Sequence, residues 1–274
     1  MTRTDFREAT LFYILALALA ALLVLAVPVI GEASPILTML TPAIAVAVMI
    51  CLSRNRRADL AGLGLQRFGF RAWPLAAGLP LAIHGASILL LAALGLTTLM
   101  MLPVASLPDL LANYAIEIVV VTLLALCEEV GWRGYLLPRL MSLGVVPALL
   151  LSGLMHGAWH LPLLLFTDFY HPTGNPWLVV PLFLVTLTLA GVFYGFLRLR
   201  TGSVWVVAFA HAMVNIGWDM GSNMSSSNSP LATEYLGGES GLFVIGALLV
   251  IDTLLIRSLR RSSRVRSGLS VQIS

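Results

Sequence analysis

The chain has 274 residues, of which 59% are hydrophobic and only 11% are charged, and its mean hydropathy is +0.95. This composition excludes an ordinary soluble domain, in which about a quarter of the residues are charged. The net charge of +3 comes from 16 basic residues, all of them arginines that stand beside hydrophobic runs. Because they do not form a basic face, we expect no nucleic-acid partner.

Long hydrophobic runs predict the membrane spans. A span needs about 20 apolar residues, and uninterrupted runs favour helices over barrel strands, whose residues alternate. The sequence therefore predicts an all-α, polytopic membrane helical bundle of about eight transmembrane helices, with 1–274 as a single transmembrane domain. The runs are 9–30, 35–53, 73–101, 113–133, 145–163, 177–197, 203–219 and 241–257.

The arginine positions predict the topology, because cytoplasmic flanks of membrane helices are enriched in basic residues. Arginines stand before the first run, in every second connection and after the last run. Both termini are therefore predicted to be cytoplasmic. The absence of lysine is typical of a GC-rich genome, and we expect an integral, multi-pass protein of the bacterial inner membrane. The connections without arginine are 31–34, 102–112, 164–176 and 220–240, which include the acidic residues Asp168 and Glu239.

The fourth run ends in ionisable residues, which are costly inside a membrane and indicate a functional site. Glu129 and Arg133 share a helix face, so an ion pair between them is geometrically easy. Glu128 lies about 100° round the helix from Glu129, so one glutamate can be structural while the other acts as a base. The alternative is that both carboxylates only form pairs near the cytoplasmic headgroups.

Two further runs carry histidines. His156 and His160 have the spacing of a helical metal pair, but Gly157 stands where an H-E-x-x-H protease needs its glutamate. His211 and Asn215 lie on one face of the seventh run and either serve a site or form an interhelical packing contact. Groups of this kind on three separate runs favour a shared site.

Three motifs together resemble the CPBP family of CAAX-type intramembrane endopeptidases, also called the Abi family. The residues E-E-V-G-W-R at 128–133, H-G-A-W-H at 156–160 and H-A-M-V-N at 211–215 follow that family's E-E-x-x-x-R, F-x-x-x-H and H-x-x-x-N. The corresponding core is 110–220. His156 is a departure, because the family usually has Phe there.

The resemblance implies an endopeptidase that hydrolyses a peptide bond at the membrane through a water molecule. Glu128 would be the general base that activates this water, and His160 would help to hold it. His211 and Asn215 would stabilise the oxyanion of the tetrahedral intermediate. The site would open to the cytoplasm, as in the eukaryotic CAAX enzymes.

The resemblance leaves the cofactor open, since both glutamic and metallo mechanisms have been described for the family. Glu129 and Arg133 would support and orient the site. Glu128, His160 and His211 would form a zinc set of the His₂Glu type. The expected cofactor is therefore zinc or none.

The expected partners are the lipid bilayer and a peptide or protein substrate, membrane-anchored or prenylated. One alternative is a non-catalytic family member that acts as an immunity or scaffold membrane protein. Another is a secondary transporter, because intramembrane carboxylates and histidines also form proton relays. The sequence favours the enzyme, because every motif residue with chemical capacity is present and the paired halves typical of transporters are not found.

Overall fold

Most of the described chain is helical, as expected for backbone in lipid, where each N–H and C=O has to be bonded within the segment. The computed structural model describes residues 3–100, 107–167 and 174–271, so that Asp168 lies outside the described residues. The helices are α1 (Arg3–Leu25), α2 (Val27–Ile30), α3 (Ser34–Leu52), α4 (Arg56–Gly62), α5 (Trp73–Ala93), α6 (Leu107–Glu129), α7 (Leu137–Leu140), α8 (Val145–Trp159), α9 (Leu161–Phe166), α10 (Pro176–Thr201), α11 (Trp205–Asn223), α12 (Pro230–Ala232) and α13 (Leu242–Val271).

Within the described residues, 7 helices are long and apolar enough to cross a membrane. This confirms the all-α polytopic bundle. The predicted span 203–219 corresponds to α11, a helix of 19 residues that is not among the 7. His211, Asn215 and Asp219 lower its hydropathy, and the first two of these belong to the candidate site.

The predicted span 73–101 is too long. Helix α5 ends at Ala93, and Gly95 follows with a φ of +71°, a left-handed conformation that suits glycine at a helix end. The chain then forms β1 (Thr97–Leu99), which pairs antiparallel with β2 (Ser225–Ser227). Threonine is β-branched and favours strands, so these residues leave the helix and form a small two-stranded sheet.

Arginines from separate connections meet at one end of the bundle. Arg139 forms salt bridges with Glu8 of α1 at 2.8 Å and with Asp59 of α4 at 2.9 Å. Arg198, near the end of α10, donates to the carbonyl oxygen of Gly62 at 2.6 Å. We call this the arginine-rich end and the opposite end, which carries β1 and β2, the arginine-poor end. The common location of these arginines agrees with the sequence, in which arginine-containing and arginine-free connections alternate.

Glycines allow α8 and α10 to approach closely. A Cβ atom on Gly153 would lie 2.7 Å from the carbonyl oxygens of Leu187 and Thr188, and one on Gly191 would lie 2.5 Å from the Cα atom of Gly153. Small residues at such crossings are how membrane helices pack tightly, because lipid supplies little hydrophobic drive between them. This crossing fixes α8, the helix that carries the second motif.

Candidate active site

The last turn of α6 and the segment after it carry the first motif. Glu128 and Glu129 end α6, and Val130–Leu136 forms a π-helical segment, a rare conformation that is frequent at functional sites. Gly131 lets this segment pack against α3, because a Cβ atom there would lie 2.6 Å from the Cβ atom of Pro42. Glu128 is only 2% exposed and Glu129 is 0% exposed.

The predicted ion pair between Glu129 and Arg133 is confirmed. Nη1 of Arg133 donates to both carboxylate oxygens of Glu129, at 2.9 and 3.0 Å, and both side chains are fully buried. The guanidinium carbon also lies 4.9 Å from the centroid of the Tyr194 ring, a distance at which a cation and an aromatic face attract. The pair is thus enclosed by protein, where an unpaired charge would be very costly.

His156 connects this ion pair to Glu128. Its Nδ1 lies 3.1 Å from Nη1 of Arg133, and its Nε2 lies 2.8 Å from Oε2 of Glu128. A guanidinium can only donate, so Nδ1 accepts and the proton of the neutral imidazole is on Nε2. His156 therefore donates to Glu128 and restricts the orientation of that carboxylate.

His160 lies one turn further along the chain, at the junction of α8 and α9. Its Nδ1 donates to the backbone carbonyl oxygen of His156 at 3.0 Å. This hydrogen bond fixes the tautomer, so that Nε2 carries a lone pair. The structure also brings ligand atoms of Glu128 and His160 within 4.8 Å of one another.

His211 and Asn215 approach from α11. Nδ1 of His211 lies 3.0 Å from Oε1 of Glu129, and its ring stacks on Tyr194 with 5.5 Å between centroids. His211 and Asn215 both line a small cavity of about 50 Å³. The two side chains thus share one wall, and the carboxylate that binds the guanidinium also orients His211.

A metal would find a different donor set from the predicted one. The ligand atoms of Glu128, His156 and His160 lie within 4.8 Å of one another, whereas His211 directs its Nδ1 to Glu129. Two imidazoles and a carboxylate fit a catalytic metal by residue type. His156 fits poorly, however, because Arg133 donates to its Nδ1 and its Nε2 proton points to Glu128. The hydrogen bonds therefore suit a metal-free site better.

The site also contains residues that sequence reasoning did not assign to it. Trp132, 0% exposed, stacks on His156 with 5.1 Å between centroids, and Trp159 packs edge-on against Trp132 at 5.6 Å. Together with Tyr194, these rings cover the charged groups. In the sequence, the one signal that the site contains further residues was His156, an extra histidine one turn before His160.

The comparison with known families supports the motif assignment. Residues 110–217 match a family model described as type II CAAX prenyl endopeptidase, Rce1-like. No curated protein matches the chain. The matched segment contains the glutamates, the histidines of α8 and the polar pair of α11, and it confirms the family that the motifs predicted.

Replacing Arg133 tests the role of the buried pair. Arg133→Met leaves the buried Glu129 charge without its arginine and with only the hydrogen bond from His211, so we expect a loss of about 3–5 kcal/mol in the free energy of unfolding. Adding Glu129→Gln should recover part of this loss, because it removes the uncompensated charge. SDS titration in mixed micelles measures both. Arg71→Met, at an exposed arginine, is the control and should change the free energy of unfolding very little. A loss as small as this in Arg133→Met would contradict the stabilising role of the buried ion pair.

Proposed function

We propose that this chain is an intramembrane endopeptidase that hydrolyses a peptide bond with a water molecule activated by Glu128. The observation that carries the proposal is that two adjacent glutamates have different partners. Glu129 binds the guanidinium of Arg133, whereas Glu128 receives its hydrogen bond from His156. Glu128 is therefore held in place without direct neutralisation by the arginine. The family match over 110–217 supports the reaction class.

The first chemical step is attack by water. Oε2 of Glu128 accepts from His156, so we place the water at Oε1, with His160 helping to hold it. Glu128 takes the first proton while the water oxygen bonds to the carbonyl carbon of the substrate. The electron pair of the carbonyl moves to its oxygen, which becomes the oxyanion. General-base catalysis of this type contributes about 10²–10⁴-fold.

The second step breaks the peptide bond. The oxyanion electron pair re-forms the carbonyl, the carbon–nitrogen bond breaks, and Glu128 returns its proton to the leaving amine. The products are a carboxylic acid and an amine, so one water is consumed and Glu128 ends as it began. The carboxylate thus acts first as base and then as acid.

His211 and Asn215 are assigned to the oxyanion. His211 donates from Nδ1 to Glu129, and in its protonated form it also donates from Nε2. The amide of Asn215 supplies a further N–H on the wall of the same small cavity. Donors fixed in advance in a water-poor site stabilise developing charge effectively, and each is typically worth about 3–4 kcal/mol.

A divalent metal, if bound, would be held by Glu128, His156 and His160. It would supply Lewis-acid polarisation and a more acidic bound water. Arg133 then has to give up its hydrogen bond to His156 or accept a second cation nearby, which Coulomb repulsion disfavours. We therefore propose the glutamate mechanism, in which no residue of this network has to change its partner.

The membrane setting follows from the spans and the arginines. The chain is an integral, multi-pass membrane protein by its helices, and we propose the bacterial inner membrane with the arginine-rich end and both termini in the cytoplasm. A peptide segment held at the membrane by its own anchor is the proposed substrate class, because the site lies between helices rather than on a soluble domain.

Peptide cleavage by the purified protein in detergent tests the proposal. We expect wild type to cleave members of a panel of fluorogenic peptides that includes a farnesylated CAAX peptide. Glu128→Gln and His160→Ala should each lower kcat by about 10²–10⁴-fold, because they remove the base and the group that positions the water. Glu117→Gln, also on α6, should cleave like wild type, and a chelator should have no effect.

Several results would contradict this mechanism. Cleavage that persists in both variants would indicate a contaminating protease. Loss of wild-type cleavage with chelator, restored by zinc, would favour the metal set. No cleavage of any peptide, or of membrane-anchored proteins reconstituted with the chain, would favour the immunity or scaffold alternative.

His156 is assigned as a positioning residue rather than a catalytic one. His156→Phe removes its hydrogen bonds to Glu128 and Arg133, and we expect kcat to fall about 10–100-fold, as for other groups that orient a catalytic ligand, with KM unchanged. His156→Gln keeps a donor near Glu128 and should recover part of kcat. Steady-state kinetics on one peptide measures kcat and KM for each variant. If kcat of His156→Phe were as low as that of Glu128→Gln, His156 would act directly in catalysis rather than by positioning Glu128.

A further inference from the structure

A large cavity lies at the arginine-poor end of the bundle. Its volume is about 500 Å³, and it lies between α10, α11 and the segment that leads into α13. Ser222, Ser227 and Pro230 line its mouth, and all three are exposed. Pockets of about 300–1,000 Å³ are typical of ligand sites, so the cavity can hold several residues of a peptide.

The inner end of this cavity adjoins the candidate active site through Phe183. Phe183 lines it, is only 3% exposed, and its ring centroid lies 5.2 Å from that of His160. The small cavity that contains His211 and Asn215 adjoins the same region, because Glu239 lines both cavities. The described cavities therefore approach the site from the arginine-poor end.

Two carboxylates, Glu234 and Glu239, line the large cavity, and Glu239 is the one that also lines the small cavity beside the site. No arginine occurs among the described lining residues of the large cavity, and the sequence contains no lysine. Within the described part of the chain, the Glu239 carboxylate forms no hydrogen bond or salt bridge. His211 lines the small cavity together with Glu239, but no arginine or lysine lies on the large-cavity side, where a carboxylate in a cleft attracts positive charge, more strongly as water is excluded. Trp218 and Tyr235 supply aromatic surface beside it.

We propose that the large cavity binds the substrate segment next to the scissile bond and that Glu239 selects a lysine or arginine side chain there. This inference deepens the proposed function and rests on it. The charged end of the side chain would contact Glu239, and its methylene groups would lie on the aromatic surface. The peptide would reach the scissile position from the arginine-poor end, past Phe183.

Binding to an inactive variant tests the inference without requiring cleavage. Glu128→Gln protein in detergent is titrated against two fluorescein-labelled peptides of alanine and leucine that differ only at one central residue, lysine in one and acetyl-lysine in the other. Acetylation removes the charge and keeps the stem. We expect the lysine peptide to bind about tenfold tighter or more, as close charge pairs give at interfaces.

Matched variants on this background identify the carboxylate. Adding Glu239→Gln should abolish the preference for lysine, and Glu239→Asp should keep part of it, which shows that a loss reflects charge and not misfolding. Asp109→Asn removes the same charge from an exposed position at the same end and should change nothing. Equal binding of both peptides before any change at Glu239, or a preference that survives Glu239→Gln, would overturn the inference.

Cleavage by wild type is measured separately with the same two peptides. A lysine preference in binding that depends on Glu239, without cleavage, would refute the proposed function and leave a cation-binding cavity. Cleavage of both peptides at equal rates would refute the selection by Glu239 and leave the protease. The two failures are therefore distinguishable.

Discussion

The buried ion pair between Glu129 and Arg133 is the interaction on which the rest of the site depends. A guanidinium cannot be left alone among membrane helices, because desolvating a charge costs several kcal/mol even after relaxation. Glu129 neutralises it, and each partner then binds one histidine: Arg133 donates to His156 on α8, and Glu129 pairs with His211 on α11. One charge pair thus fixes three helices relative to one another, and it leaves Glu128 for chemistry.

Much of this arrangement could be predicted from the sequence. Residues four apart, such as Glu129 and Arg133, lie on the same face of a helix, so their ion pair could be predicted. The hydrophobic runs predicted the membrane-spanning helices of the bundle. The role of His156 could not be predicted, because it depends on which ring nitrogen faces Arg133, and that is set by packing between α6 and α8. The end of α5 was also missed, because apolar residues up to Leu99 continue the hydrophobic pattern although the chain leaves the helix at Gly95.

The cavities bear on how water and substrate would reach Glu128 within a bundle of membrane helices. Water must reach Glu128 although aromatic rings cover the charged groups around it, and the described cavities approach it from the arginine-poor end. The small cavity is lined mainly by apolar side chains, but His211, Asn215 and Glu239 also line it and can supply the roughly 2–4 hydrogen-bonding partners that an ordered water needs. In the proposed mechanism, water and an extended peptide would enter from this end, while the aromatic rings on the other side keep the ion pair dry.

The most direct test of the central claim is a single-turnover reaction in heavy-oxygen water, followed by mass spectrometry of the product and of the enzyme. Activation of water by Glu128 predicts that the heavy oxygen appears in the new carboxylate of the product in the first turnover and never in Glu128. Heavy oxygen in Glu128, with ordinary oxygen in the product, would show that the carboxylate attacks the substrate itself, and the account of Glu128 as a general base would be wrong.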